Sequence, residues 1–204
     1  MQIKTFTANY FSGNCYLITN ERKCIIVDPA VDYHTVFDNS NLELVGVFIT
    51  HGHFDHINCL DSYLLNSDAK IYMHSNCLEK INDPMKNCSN LINENIKFIV
   101  PEERITFIND ESDFSILNHQ VKIIETPGHT NCSVCIILDN YLFSGDTLFA
   151  GAIGRVDLYS SNSTDIINSL EKLKNLKTNY QVFPGHGQTT YLDFEKKVNP
   201  YLIR

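Results

Sequence analysis

The chain has 204 residues, a formal net charge of −8 with histidine neutral, 43% apolar residues and 20% charged ones. That length and balance fit one domain, or one domain of two similar halves, with a full core, and they exclude wholesale disorder. The acidic balance disfavours nucleic acid as a partner, and no stretch approaches the ~20 apolar residues of a membrane span.

Short strands are predicted over 3–7, 15–19 and 23–27. The turn Asn20-Glu21-Arg22 joins the second to the third, and Asp28-Pro29 ends the third. The branched run 44–49 reads as a strand buried on both faces. Ile57, Leu60 and Leu64 recur at helical spacing and predict a helix over 55–65, followed by a short strand over 70–73. The stretch 76–95, which carries Pro84, reads as a short helix within a surface excursion. Farther on, strands are expected over 121–125, 134–138 and 141–143, with Asp139-Asn140 as the hairpin turn. Thr164 is the expected N-cap of a helix running to about Asn175, with Ile166, Ile167, Leu170 and Leu173 on one face. A last strand over 181–183 and a closing helix over 191–198, stopped by Asn199-Pro200, complete the chain. No linker or fixed-period repeat divides it, so a single domain over 1–204 is expected.

The seven cysteines are scattered, and their odd count fits reduced thiols. The first residues lack the charged segment and apolar run of a signal peptide, so the expected location is cytoplasmic.

The chemistry is concentrated in four loops. His51-Gly52-His53-Phe54-Asp55-His56 follows the buried strand directly. In extended backbone, residues two apart point the same way, so His51 and His53 can reach one metal together. Asp55 and His56 fall where the chain turns into a helix. Thr126-Pro127-Gly128-His129, Ser144-Gly145-Asp146 and Phe183-Pro184-Gly185-His186 each place a ligand-type residue after a strand and a glycine turn. Strand ends along one sheet edge converge, and loops there carry ligands. Five of the eight histidines lie in such loops, whereas His34, His74 and His119 do not and are expected to be structural or superficial. Five imidazoles and two carboxylates exceed one tetrahedral site, so two divalent ions are expected. Zinc is the expected metal, with iron or manganese compatible. The assignment is His51, His53 and His129 on the first ion, Asp55, His56 and His186 on the second, and Asp146 bridging. Asp28 is a candidate to orient a histidine or to cap a turn. Arg155 and Asp157 form either a buried pair bracing the loop after Asp146 or, through Arg155, an anchor for an anionic substrate. Cys132 and Cys135 form a CxxC that reads as packing rather than redox chemistry.

At Thr50-His51-Gly52-His53-Phe54-Asp55-His56, Thr126-Pro127-Gly128-His129-Thr130, Ser144-Gly145-Asp146-Thr147-Leu148-Phe149, Gly154-Arg155-Val156-Asp157 and Phe183-Pro184-Gly185-His186-Gly187, the chain resembles the metallo-β-lactamase superfamily. Within that superfamily it resembles the short, single-domain glyoxalase II-like hydrolases of bacteria. The pieces occur in family order, from about residue 10 to the end. The resemblance implies an α/β fold, a four-layer αββα sandwich of two mixed β-sheets flanked by helices. It also implies the same ligand set, with Asp55 and Asp146 catalytic. The expected reaction is hydrolysis of a small-molecule thioester, such as an S-lactoyl thiol, by a hydroxide shared between the metals. The chain ends soon after Gly187, without the helical region by which true glyoxalase II grips glutathione, which leaves the thiol carrier, glutathione or another, open. Asp146 replaces the cysteine of the commonest true β-lactamases, so antibiotic hydrolysis is not expected either. Persulfide dioxygenases share these motifs but hold one iron at positions matching His51, His53, His129 and Asp146, which makes them the alternative. RNA processing and binding without turnover are weaker rivals.

Overall fold

The computed structural model describes residues 1–9, 11–38 and 40–203. Contacts divide the chain into two compact units, Met1–Ile108 and Asn109–Arg204.

In the first unit, β1 (Gln2–Thr7), β2 (Asn14–Asn20) and β3 (Lys23–Val27) form an antiparallel meander. Then come α1 (Tyr33–Phe37), β4 (Glu43–Phe48), α2 (Phe54–Ile57), α3 (Leu60–Asn66), β5 (Lys70–Met73), α4 (Leu78–Ile81) and β6 (Ile105–Phe107). β4, β5 and β6 add to β3 in parallel, giving a six-stranded mixed sheet ordered β1-β2-β3-β4-β5-β6. Parallel neighbours put successive strand ends on the same side, which is what a loop-built site needs. α3 buries Leu60 and Tyr63. The Tyr63 hydroxyl donates to the Val31 carbonyl at 2.8 Å and lies 3.7 Å from Cys15 Sγ on β2. Burial there pushes the Cys15 thiol up to about 12, which keeps it protonated and inert.

In the second unit, β7 (Asp113–Ile116), β8 (His119–Glu125), β9 (Val134–Leu138) and β10 (Tyr141–Gly145) run as an antiparallel meander. A hairpin of β11 (Leu148–Phe149) and β12 (Ala152–Ile153) follows, then α5 (Ser163–Lys174). β13 (Gln181–Pro184) returns parallel to β10, and β14 (Thr190–Tyr191) and α6 (Leu192–Val198) close the unit. The sheet order is β14-β13-β10-β9-β8-β7. Ile166, Leu170 and Leu173 of α5 share a core with Ile124, Ile137, Leu142 and Val182 of the sheet. Each such burial is worth roughly 1.5–3 kcal/mol. Ile167, expected on that face, is 60% exposed.

Two helix predictions need correction. The helix expected over 55–65 is two helices, because the Cys59 amide donates to the Pro29 carbonyl at 3.1 Å, outside the helix. The cap of α5 is Asn162, not Thr164. The Asn162 carboxamide oxygen accepts from the amides of Thr164 at 2.8 Å and Asp165 at 3.1 Å. Among the described residues, no helix is long and apolar enough to cross a membrane.

Candidate metal centre

In the first unit, β3 and β4 pair in parallel with Val27 opposite Phe48, so Asp28 and the segment after Phe48 leave the same end of the sheet. Asp28 sits in the left-handed region at φ 56°, and its amide donates to the Phe48 carbonyl at 2.8 Å. Its buried carboxylate accepts from the Thr50 amide at 2.8 Å, the Thr50 hydroxyl at 2.7 Å and His56 Nδ1 at 2.9 Å. Thr50 Oγ1 also lies 3.1 Å from His51 Nδ1. A hydroxyl has one proton, and Thr50 gives it to Asp28, so its oxygen accepts from His51 Nδ1–H. One carboxylate therefore fixes two imidazoles, directly at His56 and through Thr50 at His51. Both then carry their lone pair on Nε2, the nitrogen needed for a metal. The His51 ring centroid is 4.9 Å from that of His53 and 4.3 Å from that of His56. His53 occupies the N-cap position of α2 without a capping hydrogen bond from its side chain. Asp55, in the first turn, places Oδ2 3.9 Å from His56 Nε2. His51, His53 and His56 are buried, whereas the Asp55 side chain is 18% exposed.

In the second unit, three loops meet. Thr126 Oγ1 and Thr147 Oγ1 are 2.8 Å apart, joining the His129 loop to the Asp146 loop. β10 and β13 pair in parallel with Gly145 opposite Pro184, and the Gly185 amide donates to the Gly145 carbonyl at 2.8 Å. Asp146 and His186 therefore emerge side by side. His129 Nδ1 donates to the Arg155 carbonyl at 2.8 Å, which again leaves the lone pair on Nε2. Asp146 Oδ2 then lies 3.5 Å from His129 Nε2 and 3.6 Å from His186 Nε2. These distances exceed ordinary hydrogen bonds. One carboxylate oxygen flanked by two imidazole nitrogens at this spacing can share a metal with either of them.

The donor chemistry fits divalent metal. Each of His51, His53, Asp55, His56, His129, Asp146 and His186 belongs to a group of three residues able to offer one ligand atom apiece to an ion. Imidazole nitrogen and carboxylate oxygen suit zinc, iron and manganese.

The remaining predicted residues sort differently. Asp28 orients histidine, the first of its two expected roles. Arg155 and Asp157 do pair, at 2.6 Å and 2.7 Å, but both side chains are 63% exposed, so the pair is superficial rather than buried. The Arg155 hydrogen bonds hold the Asp157 carboxyl below the usual range. Cys132 and Cys135 are fully buried, and burial raises the Cys135 thiol to about 11, consistent with packing. His74 accepts from the Asn76 amide at 3.1 Å, and His119 lies 2.7 Å from Asp139. Sequence reasoning misses Thr50 and the Arg155 carbonyl. Thr50 adjoins the histidine motif and carries that much signal. A backbone acceptor carries none in its residue type.

The Bacillus subtilis (strain 168) protein called probable metallo-hydrolase YqgX is 30% identical over 196 residues, 93% of this chain and 92% of that one. The crystal structure of BLEG-1 B3 metallo-β-lactamase matches with a TM-score of 0.92 at 27% identity, covering 100% of both chains. That of TTHA1623 in a di-iron-bound form matches with a TM-score of 0.85 at 26% identity, covering 98% of this chain and 100% of that one. The expected α/β architecture of mixed sheets with flanking helices is the fold these proteins share. The family model for the metallo-β-lactamase superfamily spans residues 8–186, from before Asp28 through the last histidine loop, and the chain belongs to that superfamily.

Proposed function

We propose that this protein is a two-metal hydrolase that cleaves a small-molecule thioester, with zinc as its metal. The observation that carries the reading is Asp146 Oδ2, set 3.5 Å from His129 Nε2 and 3.6 Å from His186 Nε2. His51, His53 and His129 would hold one ion, and Asp55, His56 and His186 the other, with Asp146 shared. The relative called a probable metallo-hydrolase supports metal-dependent hydrolysis, and the similar structure in a di-iron-bound form supports a centre of two metals.

Bound divalent ions supply Lewis acidity and bring the pKa of water from ~15.7 toward ~7. The chain supplies the rest. Asp28, through Thr50 and His56, keeps two imidazoles in the ligating tautomer. The Arg155 carbonyl does the same for His129. Asp55, less buried than its histidine neighbours, accepts a hydrogen bond from the attacking water and orients it. A thiolate leaves readily, so no dedicated general acid is required at the departing sulfur.

The test is elemental analysis of the purified protein together with a panel of thioester, β-lactam and glutathione persulfide substrates. Close to two metals per chain and thioester cleavage are expected. His51→Ala and Asp146→Ala should each reduce cleavage at least a thousandfold while the protein stays folded. One iron per chain with oxygen uptake on the persulfide would replace this reading with the dioxygenase. Normal thioester rates in either variant would refute the ligand assignment.

A further inference from the structure

The last helix carries a buried carboxylate that the hydrolytic reading leaves unused. Glu195 on α6 is fully buried, as is Asn199 just beyond that helix. Glu195 Oε1 accepts from the Thr190 hydroxyl at 2.7 Å. Its Oε2 accepts from the Gly151 amide at 2.8 Å and from Asn199 Nδ2 at 3.0 Å. Asn199 Nδ2 also donates to the carbonyls of Phe149 at 3.3 Å and Ala152 at 3.1 Å. Phe149, Gly151 and Ala152 make up the turn of the β11–β12 hairpin. Two buried side chains therefore grip that turn through its backbone alone.

The hairpin connects two ends that both lie in the metal centre. It leaves from Asp146 and returns at Arg155, whose carbonyl accepts from His129 Nδ1. The return is close. A Cβ placed on Gly154 would strike the Asp146 carbonyl and come within 3.0 Å of the His129 ring. Along the way, Phe149 sets its ring edge-on to His186, with centroids 6.1 Å apart. The three candidate ligands of this unit are thus tied to one hairpin, by covalent continuation, by a hydrogen bond and by a ring contact.

We infer that Glu195 and Asn199 are positioning residues for metal binding, a clasp that fixes the β11–β12 hairpin and through it the spacing of Asp146, His129 and His186. A buried carboxylate satisfied by neutral donors is costly to keep, since the charge must be desolvated. Here it accepts three hydrogen bonds that no apolar residue could accept, one from the Gly151 amide of the turn and two from the side chains of Thr190 and Asn199. The inference rests on the two-metal reading, because the spacing it sets is that of the proposed bridge.

The test reads metal directly. The metal-free wild type and the variants Glu195→Gln, Asn199→Ser and Thr190→Val are titrated with Co(II). Visible absorption, ions bound per chain and apoprotein melting are recorded for each. Glu195→Gln puts an amide donor among three donors. It should shift and weaken the cobalt bands and lower the affinity of at least one ion tenfold or more. Thr190→Val, which removes one donor and little volume, should move the same signals less, and it answers the question if Glu195→Gln does not fold. Variants that melt lower yet bind cobalt with wild-type bands and affinity would show a purely structural role and overturn the clasp. A wild type that takes up no cobalt would overturn the two-metal reading itself.

Discussion

Asp28 does more at the metal centre than its place beside a proline implies. Its carboxylate receives the Thr50 amide, the Thr50 hydroxyl and His56 Nδ1, all within 2.9 Å. All three are donors, so an amide in place of the carboxylate must face one of them with its own N–H. Asn tolerates the left-handed backbone at φ 56°, which makes Asp28→Asn a test of hydrogen bonding rather than of fold. It should weaken metal affinity by about 10–100-fold, the usual cost of losing an outer partner of a ligating histidine. Thr50→Val cuts only the branch to His51 and should cost less, leaving His56 in place. Equal affinity in both variants and the wild type, measured by competition with a chelator, would show that the tautomers do not depend on Asp28.

At the scale of elements, α5 seats the His129 loop. The Asn162 amide donates to the Gly128 carbonyl at 2.7 Å, and the Ser169 hydroxyl donates to the Pro127 carbonyl at 2.7 Å. Gly128 has φ 141°, and a Cβ there would collide with the Ile166 backbone. Gly128→Ala combines overpacking with backbone strain and should cost about 2–4 kcal/mol in denaturant unfolding. Asn162→Ala loses only the cap and should cost about 1 kcal/mol by the same measurement. Reversal of that order would mean that the helix start, and not its packing on the loop, carries the stability.

The same elements divide into those that residue types encode locally and those that distant contacts create. β3, β5 and β9 are legible in the sequence to the residue, because branched runs bounded by turn residues specify strands locally. The donor-bearing loops are legible because glycine, proline and histidine recur after strands. The break between α2 and α3 is not legible, since its cause is the Pro29 carbonyl, about thirty residues away in sequence. β6, β11, β12 and β14 are too short to carry a periodic signal, and β7, Asp113-Phe114-Ser115-Ile116, lacks a branched run. The grip of Glu195 and Asn199 on a backbone turn leaves no trace in the residue types of that turn.

For the whole molecule, the number of bound ions becomes a thermodynamic quantity. The chain carries a net charge of −8, and two divalent ions add 4 positive charges, leaving −4. Metal therefore relieves self-repulsion as well as satisfying buried donors. An ion that binds only the folded state stabilises it by about 1.4 kcal/mol for each tenfold rise in free metal. In a chain of this length, 1 kcal/mol shifts the melting temperature by about 2–4 °C. One bound ion then predicts a rise of about 3–6 °C per decade of free zinc, and two ions about twice that. Melting in metal buffers, with His186→Ala alongside, separates the cases. The wild type should follow the two-ion slope. The variant, stripped of a donor assigned to the second ion, should fall to the one-ion slope. A one-ion slope in the wild type would favour a mononuclear site and, with it, the iron dioxygenase.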